Sequence, residues 1–276
     1  LCGFLLHGAK PGKLLALRLR QCDSFAAISC VKTKDGAVTT NPSEINDRFV
    51  DFYKDLYLSD TLDSPFSLAS LPILAQQDAL LLEAPITFCE LTEALKSFSK
   101  NKAPGMDGIQ AEVLLTFWAQ LASPLFRMLS SAIRSSQLHP ALNSVIISLL
   151  LKQGKVYVIC SSYRPLSLMN SDVKLLAKVL ARRLQLMIAK IVHPDQTGFI
   201  SARYATDNKW VARQGCPLSP LLFILSLEPL AAAIRSSVPC TPIVAYNTSH
   251  KISLYADDVL LYLGNVSSDL QYVLGL

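Results

Sequence analysis

The sequence predicts an α+β chain, on three observations. Apolar residues recur at helical spacing behind residues with helix-capping chemistry, Thr87 and Ser219 among them. Two apolar runs, Ser144–Lys152 and Lys251–Leu263, have strand character, and the second folds back as a hairpin. Of the 276 residues 51% are hydrophobic and 17% charged, the composition of a packed globular protein rather than a disordered one.

In chain order, the opening LCGFLLHGAKPGKLLALRLR is basic and Leu-rich. It lacks the charged, apolar and small-residue order of a signal peptide and starts at Leu1, so the chain reads as a fragment. Lys34-Asp35-Gly36 marks a tight turn between short strand-like runs, and a helix is expected from about Ser43. Residues 59–86 set prolines among small polar residues and read as a linker or surface loop. Thr87-x-x-Glu90 before Leu91, Leu95 and Phe98 is a capping box opening a short amphipathic helix, which stops at NKAPGMDG. Leu114, Phe117, Trp118, Leu121 and Leu125 then predict a buried helix face.

SVIISLLLK, Ser144 to Lys152, reads as a buried strand ending in a Gln-Gly turn. A helix is expected over Asp172–Ile191, with Leu176, Val179, Leu180 and Leu184 apolar. Its Lys174, Lys178 and Arg182 share another face, either a solvated charged face or a phosphate-tracking stripe. Ser219-Pro220 looks like an N-cap followed by proline at the first helical position, and LLFILSLEPLAAAIR is apolar nearly all round, as in a buried helix. Glu228 and Pro229 interrupt it, so no window offers the roughly 18 uninterrupted apolar residues of a membrane span, and no membrane is expected.

The seven cysteines (2, 22, 30, 89, 160, 216, 240) form no Cys-x-x-Cys pair and have no histidine at zinc-ligand spacing, which fits a reduced intracellular setting, nucleus or cytoplasm, rather than secretion. Residues 1–150 carry 13 basic and 14 acidic groups, residues 151–276 carry 13 and 7. A polyanionic partner is therefore sought on the second part.

The most informative stretch is KISLYADDVLLYL, residues 251–263. Ile252, Leu254 and Ala256 alternate with Ser253 and Tyr255, and a continuous apolar run follows, which places Asp257 and Asp258 at or beside a turn between well-packed strands. Asp is frequent in turns for backbone reasons alone. Two adjacent carboxylates nevertheless repel, and a hard divalent cation is their natural counter-charge. Two Mg²⁺ ions roughly 4 Å apart can activate a 3′-hydroxyl and stabilise leaving pyrophosphate, provided another carboxylate on a neighbouring strand bridges them.

These residues resemble the reverse transcriptases of non-LTR (LINE-type) retrotransposons. Tyr255-Ala256-Asp257-Asp258 is similar to the family's signature tetrapeptide, and further blocks occur in the family's order: NKAPGMDGIQAEVL (101–114), SSYRPLSLMNSDVKLLAKVLARRL (161–184), HPDQTGFISAR (193–203) and RQGCPLSPLLFILSLEPL (213–230). The resemblance covers about 85–263, and GKLLA and INDRFVDFYKDLY resemble the segment upstream of the fingers. It implies a right-hand polymerase of fingers/palm type: residues 1–84 an N-terminal extension and linker, 85–208 fingers-like, 209–276 a partial palm with the hairpin, and no thumb. It also implies RNA-directed DNA polymerase chemistry with an RNA template, a DNA primer, deoxynucleoside triphosphates and Mg²⁺. Asp257 and Asp258 would ligate the metal, the first more directly.

Further roles follow from the matched blocks. Arg164 could hold triphosphate oxygens in its guanidinium fork, or serve a structural ion pair. Lys152 and Lys155, flanking Gly154, could track phosphates or be idle turn residues. Gln214-Gly215 would let backbone and amide approach the nucleotide, or form an ordinary turn. Tyr255 could lie against the primer end or fill the sheet face.

One departure stands out. In the family a strand carrying the other metal-binding Asp lies between the counterparts of Asn208 and Arg213, where this chain has only KWVA. Four residues cannot supply a strand and its return, since a parallel crossover alone takes roughly a dozen. Asp207 in RYATDN and Asp195 in HPDQTG both read as loop residues, so neither is expected to substitute. The chain resembles a decayed or mis-spliced copy with impaired catalysis, whose alternative role is that of a non-catalytic nucleic-acid-binding remnant or a pseudogene product.

Overall fold

The computed structural model describes residues 28–58, 71–201, 203, 216–237, 240–245 and 248–275. The chain divides into two compact units, Leu1–Asp60 with Leu149–Arg164, and Thr61–Ser148 with Pro165–Leu276.

In the first unit the expected turn at Lys34-Asp35-Gly36 joins β1 (Val31–Lys32) to antiparallel β2 (Val38–Thr39), with Gly36 at φ 88°. Helix α1 (Pro42–Tyr57) starts as the sequence suggests: the Asn41 side chain accepts from the Ser43 amide at 3.0 Å, Pro42 occupies the first turn, and Glu44 complements the helix dipole. One turn apart on the same face, Ile45 and Phe49 bury against Val31, Cys160 and Tyr163. The Phe49 and Tyr163 rings meet edge to face at 5.2 Å, and the Tyr163 hydroxyl donates to the Tyr157 carbonyl at 2.7 Å. The segment around Tyr163 is thereby tied to the N-terminal helix.

Strand β3 (Ile146–Leu151) pairs with β4 (Tyr163–Leu168). The strand character of SVIISLLLK is as expected, but not its burial: Ile146, Ile147, Leu150 and Leu151 are exposed. Its strand partner among the described residues is β4 alone, and a two-stranded ribbon cannot cover both faces of an apolar run.

The second unit begins, among described residues, inside the expected linker, where helix α2 (Gln76–Glu83) forms. It buries no residue of its own. Asp78 holds it to Lys190 at 2.7 Å, and Arg183 collects the carbonyls of Leu82, Ala84 and Pro85 at its C-terminal end. Long-range polar contacts of this kind leave no periodic signal in the sequence.

Helix α3 (Phe88–Lys96) carries the capping box as read, with Thr87 and Glu90 bonded reciprocally. The following helical stretch is two helices, α4 (Ala111–Thr116) and α5 (Trp118–Ser135), broken at Phe117. Leu114 is buried and Trp118, Leu121 and Leu125 pack partly buried, whereas Phe117 is exposed. The break turns Phe117 off the face that uninterrupted periodicity would assign it.

Helix α6 (Ser171–Ile191) is the spine of this unit. Leu175, Leu176 and Val179 join Leu91, Ala94, Leu95, Leu114 and Leu129 from α3, α4 and α5, while Ala181 and Ile188 join Leu221 and Ile224 from α7 (Ser219–Ser236). Fully burying a Leu or Ile is worth about 1.5–3 kcal/mol each, so these two clusters supply much of the unit's stability. The first cap of α7 is Leu218 rather than Ser219, without a side-chain bond, and Pro220 lies within the first turn.

By length and hydropathy alone α7 is a candidate membrane span. Glu228 within it is 4% exposed and bonded to Arg235 at 2.7 Å, and Leu221, Ile224, Ala231 and Ile234 are buried among core residues. A core helix of a packed protein has these features as well.

The C-terminal half of α7 packs on the last hairpin. Ala231 and Ile234 meet Ile252 and Leu254 of β7 (Ile252–Tyr255), which follows the short hairpin of β5 (Ile243–Ala245) and β6 (Thr248–His250). Strand β8 (Asp258–Leu261) pairs antiparallel with β7. Helix α8 (Val266–Leu274) closes the described chain, anchored by Asp269, which has no exposure and accepts from Thr241 Oγ1 at 2.7 Å and from the Asn265 amide at 3.0 Å.

Candidate active site

The Tyr255-Ala256-Asp257-Asp258 segment forms the predicted tight hairpin. Tyr255 pairs with Asp258, leaving Ala256 and Asp257 as the two loop residues, and Ala256 adopts φ 55°. Two-residue hairpin loops need a positive φ at the first loop position to match strand twist, which is why a non-glycine residue accepts it here. Both carboxylates are exposed beside the buried Ala256. β7 alternates as read, with Ile252 and Leu254 buried. The apolar run after the turn does not follow suit: Val259 and Leu260 on β8 are exposed, because the packing against α7 involves mainly β7.

The other side of β7 is occupied by a segment whose composition reads as loop. Residues 195–197 lie parallel to it: the Leu254 amide donates to the Asp195 carbonyl at 2.9 Å, and the Thr197 amide donates to the Leu254 carbonyl at 3.0 Å. Gln196, with no exposure, accepts at Oε1 from the amides of Ala256 at 3.0 Å and Gly198 at 2.9 Å. Gly198 is needed for this approach, since a Cβ there would collide with the Ala256 amide nitrogen. Arg203 locks the same segment to the end of α6. Its Nη1 donates to the carbonyls of His193 at 2.7 Å and Gln196 at 2.9 Å, and its Nη2 to those of Ala189 at 3.0 Å and Val192 at 2.8 Å. A guanidinium at a helix C-terminus is favoured by both the orphan carbonyls and the dipole.

A charged network lies behind the hairpin. Arg235 Nε donates to Asp195 Oδ2 at 3.1 Å and Arg235 Nη1 to Glu228 Oε1 at 2.7 Å, and the His193 amide donates to the same Glu228 oxygen at 3.3 Å. His193 Nδ1 lies 3.0 Å from Asp195 Oδ2. Asp195 is therefore committed to Arg235 and His193. Asp269 is saturated in the same sense, and its hydrogen bonds from Thr241 hold its carboxyl below the usual range. Among the described residues no group of three His, Cys, Asp or Glu side chains is placed to hold a metal. Among the described residues the donor set at the hairpin is two exposed carboxylates, which would suit one hard cation shared with substrate phosphates rather than a two-metal site.

Lys152, Lys155 and Arg164 are in the first unit. Lys152 is half-buried and its ammonium donates to the Ser161 carbonyl at 2.8 Å, closing the β3–β4 connection, so it has a structural task. Lys155 follows Gly154, at φ 72°, and is exposed. Arg164 is exposed and makes no ion pair among the described residues. Gln214, Gly215 and Asp207 lie outside the described residues, as does the interval from Asn208 to Arg213.

The basic stripe of α6 resolves into separate tasks. Lys174 donates to the Ala103 carbonyl at 3.4 Å, and Lys178 donates to the Ser97 carbonyl at 2.9 Å while lying 5.2 Å from the Phe98 ring centre. Gly105 lies so close to Asn170 that a Cβ would overlap it, and Ser171 Oγ donates to the Ile109 carbonyl at 2.7 Å. These contacts dock the NKAPGMDG loop on the start of α6, and only Arg182 of the three stripe residues is exposed without such a bond among the described residues. Gln196, Gly198, Arg203 and the Glu228–Arg235 pair were not selected from sequence. Glu228 and Arg235, two turns apart in an otherwise apolar helix, carry a readable signal; Gln196 sits among turn-forming residues and carries none.

The hairpin's geometry does not by itself define a class of protein, and sequence comparison supplies the relationship. The chain is 34% identical over 190 residues to the "Transposon TX1 uncharacterized 149 kDa protein" of Xenopus laevis, covering 67% of this chain and 14% of that protein. It is 34% identical over 145 residues to the "Probable RNA-directed DNA polymerase from transposon X-element" of Drosophila melanogaster, covering 49% of this chain and 16% of that protein. It is 30% identical over 142 residues to the "Probable RNA-directed DNA polymerase from transposon BS" of Drosophila melanogaster, covering 51% and 14%. No family model matches the chain. The aligned part spans about a seventh of the length of these relatives. The chain is thus related to transposon-encoded proteins, and a retrotransposon origin is supported.

Proposed function

We propose that the chain is the fingers and partial palm of a reverse transcriptase from a LINE-type retroelement, with impaired polymerase activity. The observation that carries this reading is the hairpin: two exposed carboxylates, Asp257 and Asp258, at a tight turn fixed from behind by Gln196, in a chain related to RNA-directed DNA polymerases. In such a site Mg²⁺ supplies activation of a primer 3′-hydroxyl and charge neutralisation at the triphosphate. Asp257 and Asp258 would hold the cation, Tyr255 would border the primer end, and Gln214-Gly215 would approach the nucleotide. Arg164 and Lys155, exposed and cationic, would meet phosphates, with Lys152 supporting their hairpin.

The impairment rests on sequence: KWVA leaves no room for a strand bearing another metal-binding Asp; the carboxylates of Asp195, Glu228 and Asp269 are in turn bonded to arginine, threonine or amide donors. Binding of an RNA–DNA primer–template that weakens steeply with salt, with primer extension at background, is the expected result for purified protein. Absence of binding at low salt would remove the polymerase reading altogether. The excess of basic groups after residue 150 also favours a second reading, a nucleic-acid-binding remnant without catalysis, for which RNA affinity would survive Asp257→Ala.

A further inference from the structure

The ladder between β7 and β8 ends at the Tyr255–Asp258 pair, so strand geometry sets the direction of Asp258 but not that of Asp257, which lies in the loop. The loop's first residue, Ala256, holds a backbone conformation that side-chain-bearing residues rarely adopt. Its amide is bonded to a side chain rather than to the hairpin's own backbone: Gln196 Oε1, fully buried, accepts from it at 3.0 Å. The same oxygen accepts from Gly198 at 2.9 Å, which fixes the rotamer of Gln196 relative to its own loop. The backbone bonds of Asp195 and Thr197 to Leu254 fix that loop relative to β7, and the four carbonyl contacts of Arg203 fix it relative to α6. The other end of the amide, Nε2, is buried without a partner among the described residues, so the acceptor is the end that the fold uses.

We propose that Gln196 is a positioning residue for the carboxylates of the hairpin, acting through the Ala256 amide to aim Asp257, together with Asp258, at one divalent cation. This rests on the reading of the hairpin as a polymerase metal site. Without the clamp, Ala256 is free to leave the left-handed region, and Asp257 swings with the peptide that follows it. The pair then binds a cation as two loosely related carboxylates rather than as a preformed site.

The test uses the full chain and needs no turnover. Amide hydrogen exchange at Ala256 and Mn²⁺-induced broadening of the amide signals of residues 256–258 are measured for the parent, Gln196→Met and Gln196→Glu. The expected result is protection of the Ala256 amide in the parent and in Gln196→Glu, which keeps an acceptor, and a loss of about tenfold in Gln196→Met, the equivalent of one hydrogen bond. Half-saturation by Mn²⁺ should move up several-fold in Gln196→Met and return towards the parent in Gln196→Glu. Gly198→Ala reaches the turn without altering Gln196 and should weaken Mn²⁺ binding as well, which keeps the test open if Gln196→Met does not fold. A parent that binds Mn²⁺ at the hairpin, with Gln196→Met or Gly198→Ala folded and unchanged in affinity, overturns the positioning role alone. A parent without Mn²⁺ broadening at residues 256–258 overturns the metal reading, and the positioning role with it.

Discussion

Arg183 and Glu90 offer the sharpest stability prediction in the molecule. Arg183 Nε donates to Glu90 Oε1 at 2.6 Å and Nη2 to Oε2 at 2.8 Å, while the same guanidinium serves the carbonyls that end α2. Glu90 also closes the capping box of α3 through the Thr87 amide at 2.8 Å. The Arg183 hydrogen bond, reinforced by those from Thr87 and opposed by partial burial, lowers the Glu90 carboxyl from its ordinary 4.5 to about 2. A depressed carboxylate contributes stability that is fully present above 4.5 and lost as pH falls through about 2. The full difference corresponds to about 3 kcal/mol, and with the Glu90 side chain 32% exposed, screening reduces it to about 1–2 kcal/mol. Arg183→Met should therefore cost the second unit about 2–3 kcal/mol at pH 7, the ion pair plus orphaned carbonyls, or about 1 M in urea midpoint. It should also flatten the stability loss between pH 4.5 and 2, and Glu90→Gln in the Arg183→Met background should add little. If parent and variant lose stability in parallel over that range, Glu90 is not held by Arg183 and the reasoning fails.

Three other outcomes follow. Arg235→Met leaves Glu228, 4% exposed, as a buried charge without its counter-ion, and should destabilise by about 3–5 kcal/mol in chemical unfolding, whereas the double change with Glu228→Leu should recover much of the loss. Arg203→Ala strips the carbonyls of Ala189 and Val192 at the end of α6, and of His193 and Gln196 in the segment that follows, of their donor and should cost about 1–3 kcal/mol, read as a lower melting temperature. Neutralising Lys152, Lys155 and Arg164 together should reduce the slope of log affinity for RNA against log salt by at most about 2 if their phosphate contacts are made to single strands, and an unchanged slope would remove all three from the interface.

The elements legible in the sequence were those with a local cause. The Thr87–Glu90 box, the turn at Lys34-Asp35-Gly36 and the periodicity of α6 each follow from residues within one or two turns, and the structure has them where local chemistry places them. The hairpin with Asp257 in its turn was legible for the same reason. What was not legible depends on partners far along the chain. The exposure of β3 and β8 reflects how little the other described elements cover them, which an apolar run cannot announce. Helix α2 is held by Arg183 and Lys190, about a hundred residues distant, so its sequence alone reads as linker. Gln196 and Asp195 lie in a turn-like composition yet run beside β7, because Leu254 supplies the backbone partners that their own neighbours do not. Of the proposed site, the carboxylates could be read directly, and the residue that aims them only through the fold.

On the proposed reading the hairpin is one wall of a polymerase metal site whose other wall is missing. The most direct measurement is Mg²⁺-dependent primer extension on an RNA template by the purified chain, run beside a version with an Asp-bearing strand and its connection inserted between Asn208 and Arg213. Background incorporation is expected from the chain as it stands, and incorporation that Asp257→Ala abolishes from the extended version. Robust incorporation by the unaltered chain, abolished by Asp257→Ala, would contradict this reading.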